Sequence, residues 1–108
     1  MKVMHLESMT KGWFVGHFKP TLLDTQAAEV SVKHYKAGDH EAEHFHKVAT
    51  EITAVIQGRV RMMNQEFGPG DLVLLEPGEA TDFHVLEPSV TVVVKVPGAS
   101  NDKYLTGK

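Results

Sequence analysis

Apolar residues in this chain fall in short runs rich in Val, Ile, Phe and Thr, separated by Gly and Pro, and nowhere sustain a helical period. The pattern predicts strands over residues 3–6, 12–18 (GWFVGHF), 29–36 (EVSVKHYK), 43–48, 51–57 (EITAVIQ), 59–63 (RVRMM), 71–75 (DLVLL), 82–86 and 90–96 (VTVVVKV). Turns fall at AGD, QGR, FGPGD, EPGEA, EPS and VPG, where Gly supplies unusual backbone angles and Pro withholds a ladder donor. Residues 20–28 (PTLLDTQAA) are the one stretch suited to a short helical turn, and 99–108 read as a C-terminal tail. Many short strands joined by tight turns predict an all-β sandwich or a jelly-roll β-barrel, which closes its own edges.

With 108 residues, 42% hydrophobic and 23% charged, the chain is expected to form one domain, 1–108, with a packed core. A formal charge of −3 and only two arginines, Arg59 and Arg61, argue against a nucleic-acid partner. The N-terminal stretch is interrupted by Glu7 and Lys11 before any long apolar run develops, so neither a signal peptide nor a membrane span is expected, and the default location is cytoplasmic. There is no cysteine, which removes disulfides and thiolate ligands. A metal ion would need nitrogen and oxygen donors.

Those donors are concentrated in GDHEAEHFHKVATEITAVIQG, residues 38–58. In an extended chain His44 and His46 project to one face while Phe45 points to the other; on a helix they would diverge. Glu51 has the wrong parity to join them in one continuous strand, so a turn through Lys47 to Thr50 is required to bring it to the same cavity. Two imidazoles and a carboxylate form a set used by catalytic zinc and non-haem iron, both of which leave coordination positions open. A solvated strand edge rich in histidine is the competing reading of the same residues.

The spacing of Gly38, His44, His46, Glu51 and Gly58 resembles the first motif of the cupin superfamily. GDLVLLEPGEATDF resembles the second, with Gly70, Asp71, Pro77 and Gly78 in register, so the likeness covers residues 38 to about 85. The resemblance implies a small single-domain jelly-roll barrel (a double-stranded β-helix) with His44, His46 and Glu51 as ligands of one divalent metal ion, Fe, Mn, Ni or Zn. It also suggests a homodimer. The second motif ordinarily supplies a fourth ligand, a histidine, where this chain has Thr81. A hydroxyl is a poor ligand but can support a metal site by hydrogen bonding. His84 has the opposite strand parity and is not counted as a ligand.

Other residues carry weaker expectations. Glu79 and Asp82 flank Thr81 and are candidate catalytic bases or substitute ligands, although turn residues of this type commonly serve local hydrogen bonds. His40, Glu41 and Glu43 either shape a cavity mouth or form a solvated acidic loop. His34 either enters the cavity or is a partly buried histidine with local partners. Arg59 and Arg61 should face outward, opposite Val60 and Met62. Trp13, Phe14 and Phe18 read as packing or dimer contacts rather than a ligand box. The chain is thus expected to be a metal-binding cupin acting on a small polar molecule such as a sugar derivative or organic acid, as a metal-dependent dioxygenase or isomerase. A non-enzymatic ligand-binding or sensing barrel is the alternative, and a sugar-nucleotide epimerase is a third reading, weakened by the scarcity of arginine.

Overall fold

The computed structural model describes residues 1–107. Eight strands form one antiparallel system: β1 Trp13–Val15, β2 Glu29–Tyr35, β3 His40–Phe45, β4 Thr50–Met62, β5 Gln65–Phe67, β6 Leu72–Leu75, β7 Thr81–Val96 and β8 Tyr104–Leu105. The long strands β4 and β7 pair with each other along most of their length and serve both walls of the barrel. On one wall the order is β1, β2, the second half of β7, the first half of β4, then β6. On the other, β8, β3, the first half of β7 and the second half of β4 lead to β5. This is the expected all-β, jelly-roll architecture.

Alternation decides what faces inward. Along β7, Thr81, Phe83, Val85, Ser89, Thr91 and Val93 are buried while their neighbours are more exposed. Along β4, Thr53 and Val55 are buried, then Val60 and Met62, so the inward parity switches by one residue between Val55 and Val60. Register irregularities at Val55/Gln57, Gln57/Arg59 and Arg59/Val60 absorb that residue. Gly58 sits within this stretch at φ +90°, and a Cβ there would lie 2.2 Å from Ser89 Oγ and 2.3 Å from the Pro88 carbonyl oxygen. Only glycine fits both the backbone angle and the close approach.

Val55, Val60, Met62, Phe83 and Val85 form the apolar core, with Tyr35, Phe67, Val73 and Leu75 packed against it. Arg59 is exposed and bonds Glu66 through Nε at 2.8 Å, while Val60 and Met62 are buried, as the alternation predicts.

Several expected elements differ. Residues 51–57 and 59–63 are one strand, and so are 82–86 and 90–96, because bulges and a bend carry the chain through Gly58 and Pro88 without ending the ladder. Residues 3–6 form no strand and lead into a single 3-10 turn at Leu6–Ser8, and 20–28 contain bends and one bridge at Leu23 instead of a helical turn. Residues 99–108 do not behave as a free tail over their described part: Tyr104 and Leu105 pair with β3, and Asp102 is buried.

Candidate functional site

His44 is the one buried residue of β3, placed inward beyond a register shift after Glu41, and its Cα pairs with that of Thr81 on β7. The chain leaves the strand after Phe45 and turns through residues 46–49, re-entering β4 at Thr50, which is the turn that Glu51 requires. Asp102 builds this turn. Its carboxylate accepts the amide N–H groups of Lys47 (2.9 Å), Val48 (3.0 Å) and Ala49 (2.9 Å). Burial pushes this carboxyl's pKa up, but the three amides and the His46 charge outweigh it and hold it below the ordinary carboxylate value.

Asp102 also fixes a ring. Its backbone carbonyl accepts the Nδ1–H of His46, and the Ala42 carbonyl accepts the Nδ1–H of His44 at 2.9 Å. In the neutral form each imidazole then carries its lone pair on Nε2. The two rings are nearly perpendicular with centroids 5.5 Å apart, and both are buried.

His46 Nε2 and Glu51 Oε2 lie 2.6 Å apart, both buried and with no other polar partner among the described residues. The Glu51 contact raises the His46 pKa above its ordinary value against the opposing effect of burial. Burial alone would raise the Glu51 pKa, but His46, Lys95 and His44 together bring it below the ordinary value. Among the described residues no three His, Cys, Asp or Glu side chains draw close enough to hold a metal ion as they stand. The expected ligands share one wall, with His46 and Glu51 touching each other.

That wall belongs to a pocket of about 210 Å³ lined by His44, His46, Glu51 and Thr81, with Phe83 and Met62 among its apolar contacts. Thr81 is buried, and its hydroxyl donates to the Asp82 carbonyl at 2.7 Å. Glu79 and Asp82 are not in the lining. Glu79 closes its own turn by accepting the Glu76 amide at 3.0 Å. Asp82 has the opposite parity to Thr81, and its carboxylate accepts the Met63 amide at 2.8 Å and meets His84 Nε2 at 3.2 Å. Both expected bases are therefore occupied in local structure away from the pocket. His84 shares the outward parity of Asp82 and stacks on His40 with centroids 6.1 Å apart.

The pocket also contains residues the pattern alone did not single out. On β2 the inward residues are Ser31, Lys33 and Tyr35, whereas His34 is exposed. Trp13, expected as a packing or dimer contact, lines the pocket beside Lys33 and Lys95. The parity of EVSVKHY pointed the other way, because the apolar Val30 and Val32 share a face with His34, whereas the structure turns Ser31, Lys33 and Tyr35 inward. Nothing local marked Asp102, which acts across 53 to 56 residues of sequence.

The chain matches no protein-family model, and no curated protein is similar to it in sequence. Solved structures do resemble it. A conserved Klebsiella pneumoniae protein with a double-stranded β-helix domain is 26% identical over 80% of this chain and 75% of its own, with a TM-score of 0.70. A Bacteroides fragilis cupin protein is 23% identical over 74% of each chain, at 0.58. A sugar phosphate isomerase from a cupin superfamily, from Silicibacter pomeroyi, is 19% identical over 65% of this chain and 50% of its own, at 0.60. In fold, this chain is a small double-stranded β-helix, the architecture it shares with these cupins.

Proposed function

We propose that the protein is a metal-binding cupin in which His44, His46 and Glu51 hold one divalent ion, Fe, Mn, Ni or Zn, next to a pocket for a small polar molecule. The observation that carries this reading is the pinning of both histidines by backbone carbonyls, which leaves Nε2 as the free donor atom on two rings of one pocket wall. The buried His46 Nε2 and Glu51 Oε2, which meet only each other, fit the same role. A bound ion would supply Lewis acidity toward an oxygen of the ligand. Thr81, paired with His44 across β3 and β7, would support the site rather than ligate. The likeness to a sugar phosphate isomerase is in keeping with a sugar derivative or organic acid as the ligand. No described helix is long and apolar enough to cross a membrane. The reading places the protein in the cytoplasm as a homodimer, which light scattering would test by reporting twice the chain mass.

Tag-free protein reconstituted with each metal should take up about one ion per chain, and His46→Ala should abolish uptake. Thr81→His should tighten binding by about tenfold or more, whereas His84→Ala should leave it unchanged. Uptake far below one ion by a folded protein would sink the metal site. The second reading, a binding or sensing barrel without chemistry, draws on the missing fourth histidine and on the lack, among the described residues, of a converged three-donor cluster. Ligand binding at full affinity after metal removal, without turnover, would favour it.

A further inference from the structure

The pocket carries charge that the histidine wall does not use. Four lysines line it, Lys11, Lys33, Lys95 and Lys103, against two glutamates, Glu41 and Glu51. Both carboxylates are engaged, Glu41 by Lys103 Nζ at 3.1 Å and Glu51 by His46. Among the described residues, Lys33 and Lys95 form no ion pair, although both are half-buried. Instead their ammonium groups lie 4.8 Å and 5.0 Å from the centre of the Trp13 ring.

Register explains the arrangement. Trp13 on β1 pairs with Ser31 on β2; Lys33 lies two positions further along β2, and Lys95 on β7 pairs with Glu29, two positions the other way. The two lysine stems therefore approach Trp13 from either direction along the strands. Lys95 also pairs with Glu51 on β4, so the lysine pair borders the histidine wall. Burial, with Lys95 and Lys11 nearby, lowers the Lys33 pKa even though Glu41 opposes the shift. Withdrawing ammonium groups from water without a counter-charge is costly, and a bound anion removes that cost.

We propose that this pocket binds a small organic anion, its carboxylate or phosphate group held by Lys33 and Lys95 beside Trp13 and its remaining oxygens directed toward His44, His46 and Glu51. The inference deepens the ligand reading given above and does not depend on a metal being bound. A volume of about 210 Å³ lies below the roughly 300 to 1,000 Å³ of drug-sized sites. It suits a compact anionic group, and Lys11, Lys33, Tyr35 and Glu41 also line a wider cavity of about 1050 Å³ on the side of Gly38–Glu41. Lysine ammonium groups act as point charges and accept either anion, so carboxylate and phosphate are distinguished by experiment.

Trp13 is the single tryptophan of the chain, so its emission reports on this site alone. The probes are glucuronate, malonate, glucose 6-phosphate and inorganic phosphate, with glucose as the neutral comparator, each titrated at low salt into chelator-treated protein and again into the zinc-loaded protein. At least one anion should change Trp13 emission saturably, with glucose at least about tenfold weaker and added chloride weakening the response. Lys33→Gln and Lys95→Gln should each weaken anion binding by about tenfold or more, while Lys36→Gln, outside the pocket, should not. Melting curves of the variants confirm that they fold, and the chloride dependence tests the wild-type protein independently of them. Stronger binding of glucuronate and malonate assigns a carboxylate; stronger binding of the phosphates assigns a phosphate. Equal response to glucose, no saturable response to any anion, or wild-type affinity in the folded double variant would overturn the proposal. Anion binding to protein that takes up no metal would sustain it while removing the metal site, and metal uptake without anion binding would do the reverse.

Discussion

The interior of the barrel has two halves built from the same two strands. In one, Val55, Val60 and Met62 of β4 meet Phe83 and Val85 of β7 in an apolar cluster. In the other, Glu51 and Thr53 of β4 face Thr91 and Lys95 of β7, joined by His44, His46, Ser31 and Lys33. The buried side-chain atoms that lack a hydrogen-bond partner among the described residues, Ser31 Oγ, His46 Nε2, Glu51 Oε2 and Thr91 Oγ1, all lie in this second half. Native interiors seldom leave such groups unpaired, because each forfeits solvation without recompense. The apolar half is arranged for stability, and the polar half holds groups that a ligand would complete.

Mutation can test this division. The largest effect belongs to the apolar half: Phe83→Ala, at a site 6% exposed and packed 5.1 Å from the Tyr35 ring, should cost about 3 to 5 kcal/mol in urea unfolding. A loss under 1 kcal/mol would show that the core is not where stability resides. Next comes Asp102→Ala, which strips a charged acceptor from three amides and should cost roughly 2 to 3 kcal/mol. Metal affinity should fall with it, because the segment that carries the His46-pinning carbonyl is loosened. Unchanged affinity in a destabilised variant would separate that segment from the site.

A smaller effect appears in pH dependence. In metal-free protein the His46 pKa is raised above 6.5, so its contribution is present below that value and fades as pH rises through the folded pKa. Glu51 is lowered below 4.5, so its contribution is present above 4.5 and fades as pH falls through the folded pKa. The melting-temperature gap between wild type and Glu51→Gln should therefore be widest between pH 4.5 and 6.5 and narrow on both sides. A gap constant across pH would mean that the pair does not titrate together. The smallest effect is Ser31→Ala, which deletes a fully buried hydroxyl without a partner. Its stability should change by less than about 1 kcal/mol, in the stabilising direction; a large loss would place Ser31 in the structural half.

Much of this division was legible in the chain. Parity alone placed His44 with His46 and sent His84 outward, and the likeness to the two cupin motifs implied the jelly-roll barrel. The turn that Glu51 needs was readable as a requirement, but its builder was not, since Asp102 reaches residues 47–49 from the far end of the chain. Glu79 and Asp82 drew attention because they flank Thr81, yet closeness in sequence is not closeness in a strand, where adjacent side chains part to opposite faces. Trp13 resembled core or contact surface because its indole is apolar; the lysines that give it another setting belong to β2 and β7.

β7 keeps one inward parity from Thr81 to Val93, whereas β4 changes parity around Gly58. The two strands should therefore differ in how they tolerate length changes during divergence. An added or lost residue near Gly58 enters a stretch already out of regular pairing and can be taken up as a different bulge. The same change between Ser89 and Thr91 of β7, where pairing with β2 is regular, would turn every later inward residue to the opposite face, exchanging Thr91 and Lys95 for Val92 and Val94 in the pocket. Drift in length is open where the two strands bend, near Gly58 and Pro88, and closed to the regularly paired end of β7, which must vary by substitution alone.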